Sequence, residues 1–232
     1  MAAHRISLGR QYRECRDRIQ DPLVLKMVNS VLMIGDEDLT PMAAVAGTIA
    51  DGVADFLFER GITKVVGDNG GDVAIRADRE DPITVGIRPD INDRTVSHVI
   101  GLDPGFRSHG VATSGLGGRS LTRGIASAST VVARTASLAD AAATAVANAS
   151  FLVDEQVLRR PAAELDPYTD IPGLDVTVKV GPLPEETKSS AVSKAIRRAE
   201  ELVRREVILG AFVAVQGMHD MTKYFRDRLV KQ

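Results

Sequence analysis

Thr63-Lys64-Val65-Val66-Gly67-Asp68-Asn69-Gly70-Gly71-Asp72-Val73-Ala74-Ile75 sets two short apolar runs on either side of a polar, glycine-containing cluster. Val and Ile suit a pleated surface, and the Asn-Gly pair suits the positive φ of tight hairpin loops, so the stretch predicts a β-hairpin. Upstream, Thr40-Pro41 puts a capping residue ahead of the residue best tolerated at a helix start. Met42, Val45, Ile49, Val53 and Phe56 then recur at helical spacing until Gly61, which predicts an amphipathic helix of about five turns. Its Ala43, Ala44, Ala46, Gly47, Ala50 and Ala54 are small enough for another backbone to approach closely. Downstream, residues 83–87 lie between Pro82 and Pro89, and residues 96–102 can pair beside them, predicting more antiparallel sheet.

Residues 103–130 are rich in Gly, Ser and Thr, yet Val111, Leu116, Leu121, Ile125, Val131 and Val132 interrupt them at strand-like intervals. The glycines suggest backbone that a ligand approaches closely. Ser137 is placed to cap an Ala-rich helix running to Ala149, residues 174–180 alternate as a strand, and a charged helix spans roughly residues 185–206. A strand over residues 207–216 and a polar tail complete the expectation. The organisation expected is one α+β domain over residues 1–232. It has a helical or loop segment at 1–38, a motif-bearing core at 39–150 and a second half at 151–232.

The charge is nearly balanced, 29 Lys and Arg against 31 Asp and Glu, which disfavours a nucleic-acid partner. Six Phe, three Tyr and no Trp leave few rings for base stacking. The lone Cys15 can make no intramolecular disulfide and fits a reducing compartment, so a cytoplasmic location is expected. The uncharged stretch at 141–153 is short of the ~20 residues of a membrane span, and residues 1–17 are too polar for a signal peptide. No membrane partner is expected. Arg10, Arg13, Arg16 and Arg18 read as a solvated or subunit-contacting helix, and the small-residue helices favour a homodimer.

Four constellations carry chemistry. Asn69, Gly70, Gly71 and Asp72 can hold a ligand's polar edge at the hairpin turn, or serve as turn punctuation alone. Thr113, Ser114, Gly115, Arg119, Ser120 and Arg123 combine hydroxyls, backbone N–H groups and cations, a set that suits phosphate or carboxylate, or forms an ordinary glycine-rich turn. The string is neither a P-loop nor a dinucleotide fingerprint. Asp140 and Thr144 stand four apart on one helix face, where hard oxygens can help to hold Mg²⁺ or the carboxylate can simply complement the helix dipole. His109, beside the glycine-rich segment, is with Asp72 a candidate for proton transfer, and its alternative is a structural histidine. No spacing among His4, His98, His109 and His219 builds a zinc site.

Taken in order, Pro41-Met42-Ala43-Ala44-Val45-Ala46-Gly47, Asn69-Gly70-Gly71-Asp72, Ala112-Thr113-Ser114-Gly115 and Ala139-Asp140-Ala141-Ala142-Ala143-Thr144 resemble the ApbE superfamily. The nearest likeness is to its short, non-flavin-transferase branch, with Leu39-Thr40 standing where that branch has Gly before the Pro. The resemblance implies mixed or antiparallel, T-fold-like sheets with packed helices, two pseudo-related halves and a ligand cleft between them. It also implies that Asp140 and Thr144 match the metal-binding Asp and Thr of transferases that use FAD and Mg²⁺ to attach FMN to proteins. Those enzymes carry a His-rich segment after the third phrase. Residues 118–134 here contain no His, so FAD is the less favoured cofactor.

The leading expectation is an enzyme acting on a small anionic metabolite, by isomerisation, hydrolysis or sulfur chemistry. The alternatives are a Mg²⁺-dependent FAD-binding protein or flavin transferase, and a non-catalytic partner in a metabolic complex.

Overall fold

The computed structural model describes residues 8–78, 82–90, 95–118 and 120–231. In chain order the first half contains α1 (Leu8–Cys15), α2 (Pro22–Ile34), α3 (Val45–Phe58), β1 (Lys64–Asn69), β2 (Asp72–Ala77), β3 (Thr84–Ile87), β4 (His98–Gly101), β5 (Ser108–Ser114), β6 (Ala128–Ala133) and α4 (Ala136–Ala149). The second contains β7 (Val157–Pro161), α5 (Ala162–Leu165), β8 (Asp175–Val180), α6 (Glu185–Arg204), β9 (Gly210–Val215), β10 (Met218–Met221), α7 (Lys223–Arg226) and β11 (Leu229–Lys231). The central sheet is antiparallel in the order β1-β2-β5-β6-β9-β10. A three-stranded sheet, β11-β4-β3, and the β7–β8 hairpin are separate. This is the expected α+β architecture of antiparallel sheets and packed helices.

Both edges of the central sheet repeat one unit, a helix followed by a hairpin: α3 with β1–β2, and α6 with β9–β10. Each hairpin turns through two residues at positive φ, Gly70-Gly71 (73° and 107°) and Gln216-Gly217 (45° and 87°). That geometry matches the twist of the flanking strands. Asn69 pairs with Asp72 across the first turn, so the two glycines, not the Asn-Gly pair, are its central residues. The expected polar tail is instead β10, α7 and β11, which complete two sheets.

Pairing registers sort the side chains. Val131, Ala133, Ala211, Val213 and Val215 join the helices in one core, while Val111, Val132, Phe212 and Ala214 face β3, β4 and α7 in another. Phe212 and Phe225 are fully buried in the latter, a burial that contributes roughly 2–3 kcal/mol each. Nine of the 14 residues of α4 are buried, and its alanines let the helix lie close on β5 and β6.

Several glycines expected to border a ligand border the protein itself. A Cβ at Gly110 would lie 2.1 Å from the Thr135 carbonyl carbon, one at Gly115 2.7 Å from the Ser127 oxygen, and one at Gly124 1.8 Å from the Ala147 oxygen. Thr135, not Ser137, caps α4, accepting from the Leu138 N–H at 3.2 Å. Ser137 is buried between the hydroxyls of Ser30 and Thr48, each at 2.7 Å.

A fully buried carboxylate, Asp51 of α3, joins helices to sheet. It accepts the Ala136 and Ser137 N–H groups at 3.0 and 3.1 Å and pairs with Arg76 at 2.8 Å and Lys26 at 3.1 Å. Two orphan donors at the start of α4 are thereby satisfied from another helix. The continuous helical stretch Pro41–Phe58 is long and apolar enough by length and composition to span a membrane. Here Ala50, Asp51 and Ala54 on one side of it are buried within the protein.

Candidate functional site

The four phrases converge at the β1–β2 turn. Asn69 ends β1 and Asp72 begins β2, directly paired and so on the same sheet face as Ala74, which packs with α3. Asn69 Nδ2 donates to the Ala46 carbonyl at 3.1 Å, which fixes the start of α3 against the turn. The next residue, Gly47, donates its N–H to Asp140 Oδ2 at 2.9 Å. A side chain at 47 is impossible without displacement, because its Cβ would lie 2.2 Å from the Ala136 oxygen and 2.9 Å from Asp140 Cβ. The small residues of "MAAVAG" thus bring α3 onto α4 and the first phrase onto the fourth.

The result is two carboxylates held near each other with little water. Burial, then the charge of Asp72, pushes Asp140 up to about 8, against the pull of the Gly47 and Ala46 amides. Burial, then Asp68, pushes Asp72 up to about 6. Asp68 is partly committed, its Oδ1 accepting the Gly71 N–H at 2.8 Å. Between about pH 6 and 8 the pair therefore holds one proton, titrating as a unit.

Two cavities lie near these phrases, and neither is lined by Asp72 or Asp140 themselves. One, about 240 Å³, lies between the central and three-stranded sheets and is lined by Gly70, Gly71, Thr113, Ser114 and Gly115 together with Arg88. Thr113 and Thr130 share a hydroxyl hydrogen bond of 2.9 Å there. The other, about 420 Å³, lies beyond the next turn of α4 and is lined by Ser120, Arg123 and Thr144 with Thr40, Asp38 and Asp170. Arg123 is ion-paired to Asp38, its N–H donates to Asn148 Oδ1 at 2.9 Å, and Thr40 donates to Asp170. With Asp166 also present, the larger cavity carries more negative than positive charge.

The expected site residues therefore divide. Asn69, Asp72 and Asp140 come together, with Thr144 one turn from Asp140 at the larger cavity. Gly70, Gly71, Thr113, Ser114 and Gly115 line the smaller cavity, Ser120 and Arg123 the larger. Arg119 lies outside the described residues. His109 is 2% exposed and pairs with Ile75, placing it on the sheet face opposite Asp72. Burial lowers its pKa, and its ring lies 6.0 Å from that of Phe106. At about 3.3 Å per residue it is roughly 13 Å along β5 from Thr113. His109 and Asp72 therefore do not share one proton path. Asp38, Thr40, Asp68, Arg88, Thr130, Asn148 and Asp170 were not among the expected residues; they are isolated in sequence and only the fold gathers them.

The donors at the pair are hard oxygens. Among the described residues no group of three or more His, Cys, Asp or Glu could hold a metal ion. Two carboxylates and a hydroxyl fit Mg²⁺, which takes one or two protein carboxylates and draws its other ligands from water and bound anions.

The fold is that of an ApbE-like α+β protein. The chain belongs to the family described as AbpE bacteria, whose model matches residues 2–221. It is 41% identical over 127 residues to a protein of Archaeoglobus fulgidus named "UPF0280 protein", covering 54% of this chain and 49% of that one. A Methanococcus aeolicus protein of the same name is 30% identical over 157 residues, covering 64% of this chain and 62% of that one. The chain thus spans about half to three-fifths of the length of these relatives. The apo crystal structure of Pseudomonas stutzeri flavinyl transferase ApbE superposes with a TM-score of 0.45 at 19% identity, covering 81% of this chain and 52% of that one.

Proposed function

We propose that this protein is a Mg²⁺-assisted enzyme of a small anionic metabolite, with Asp72 and Asp140 at its centre. The observation that carries the reading is the pair itself. Two partly buried carboxylates have raised proton affinity, and neither makes an ion pair among the described residues. Such a pair calls for a proton or a cation between its members. The acidic lining of the larger cavity supports the cation, since a bare anion would be repelled there.

In this reading Asp140 and Thr144 would hold the ion, and Asp72 would complete the oxygen set or, ionised, accept a proton from the substrate. A bound Mg²⁺ would supply neutralising charge to an anionic substrate. The Gly47 and Ala46 amides keep the Asp140 carboxylate oriented, and Asn69 keeps that turn of backbone in place. The larger cavity, with Thr40, Ser120, Asn148 and Arg123, suits the polar body of a small metabolite.

A second reading, a Mg²⁺-dependent flavin-nucleotide site, is favoured by the Asp140–Thr144 spacing on one face of α4. The lack of histidine in residues 118–134 argues against transfer chemistry there. A thermal-shift screen of small carboxylates, phosphates, FMN and FAD, each with and without Mg²⁺, separates the two. A Mg²⁺-dependent rise with small acids supports the first, and one confined to FAD or FMN the second. No response to any of them would favour the role of a non-catalytic partner.

A further inference from the structure

α3 buries one side and leaves the other bare. Ile49, Val53 and Phe56 share one face of α3 and are 49%, 51% and 53% exposed, and Met42, on the 3₁₀ turn Pro41–Ala44 that leads into the helix, is 52% exposed. Leu23 and Val24 at the start of α2 continue the patch, with Leu23 lying against Gly52. These six side chains present on the order of 500 Å² of apolar surface. That is near the upper end of what a monomer leaves open (~300–600 Å²) and more than half of what one side of a stable interface buries (~800 Å²).

Two features identify the partner. In sequence Met42 and Phe56 each stand seven residues from Ile49, near the two ends of the patch. The two ends differ in charge. Beyond Phe56 are the exposed Arg60 and Lys64 against Glu59, with the Arg60 guanidinium stacked 3.4 Å from the Phe56 ring. Beside Met42 lie Asp38, Asp166 and Asp170 at the larger cavity, where Arg123 is already paired to Asp38. An identical patch laid antiparallel sets apolar surface on apolar surface and brings the basic end of each copy to the acidic end of the other. An anionic lipid surface would be attracted at one end and repelled at the other.

We propose that this face of α3 is the contact between two copies of the chain, paired antiparallel about Ile49, so that the partner's Phe56 and Arg60 cover Met42 at the mouth of the larger cavity. Each cavity is then completed by the other copy. The pairing does not depend on the roles assigned to Asp72 and Asp140.

Light scattering of the whole chain tests the association, and cysteine cross-linking in a Cys15→Ser background tests the orientation. The wild type should have twice the chain's mass. Ile49→Glu, at a half-exposed position, should halve that mass while its circular dichroism stays unchanged. Ile49→Cys should cross-link under mild oxidation. Met42→Cys and Phe56→Cys should each fail alone and succeed when combined in one chain. A monomeric wild type, whether or not it binds vesicles, would overturn the proposal. So would a dimer that survives Ile49→Glu and Val53→Glu, or cross-linking by Met42→Cys alone.

Discussion

The Gly47 N–H donates to Asp140 Oδ2 at 2.9 Å, and the same glycine leaves no room for a Cβ between α3 and the start of α4. Backbone approach and carboxylate position are thus one constraint. Gly47→Ala should push α3 away from Ala136 and remove the amide from Asp140. A loss of about 2 kcal/mol or more is expected in urea unfolding, in the range of overpacking effects, although alanine is the better helix former. Unchanged stability and unchanged metal affinity would show that α3 can shift freely.

The Asp140 pKa has a definite consequence for stability against pH. A carboxyl whose folded value is raised to about 8 binds more protons folded than unfolded between about pH 4 and 8. Its stabilising contribution is therefore present below pH 4 and is lost as the pH rises through 8. Asp140→Asn, which keeps an acceptor for Gly47, should gain on the wild type as pH rises from 5 to 8.5, by on the order of 1–3 kcal/mol. Parallel curves for the two proteins would mean that Asp140 ionises normally.

Asp51 should behave oppositely to an active-site residue. Asp51→Ala strips Arg76 and Lys26 of a buried partner and frees two N–H groups of α4, so a loss of about 3–5 kcal/mol is expected. Denaturant melts report it directly. A loss under 1 kcal/mol would assign the network a role other than stability.

The β1–β2 hairpin, α3 and the antiparallel character of the sheet were legible because Val, Ile, Gly and Pro act locally. Helix α2 had equally local marks, Asp21-Pro22 at its start and Gly35 at its end, within a segment read only as helical or loop. Strand β10 was not legible: Met218-His219-Asp220-Met221 has polar residues at its centre and exists by pairing with β9. The site was legible as a set of residues but not as an arrangement. Strand alternation, for one, puts His109 on the face opposite Asp72. Asp51 did carry a signal, a carboxylate set in an otherwise apolar helix.

Arg123→Ala separates ligand binding from ion binding. It frees Asp38 and removes a cation from the larger cavity, so affinity for an anionic ligand should fall about tenfold while Mg²⁺ affinity is preserved. Equal losses of both would place Arg123 in the support of the ion site instead.

Calorimetric titration of Mg²⁺ into the wild type and Asp140→Asn at pH 7, in two buffers of different ionisation enthalpy, tests the central claim most directly. Binding by the wild type should release a proton, because the ion displaces the one that Asp140 holds, and the apparent heat should therefore differ between buffers. Asp140→Asn should show no binding. Absence of binding to the wild type, or an unchanged titration in the variant, would contradict a metal-assisted Asp72–Asp140 centre.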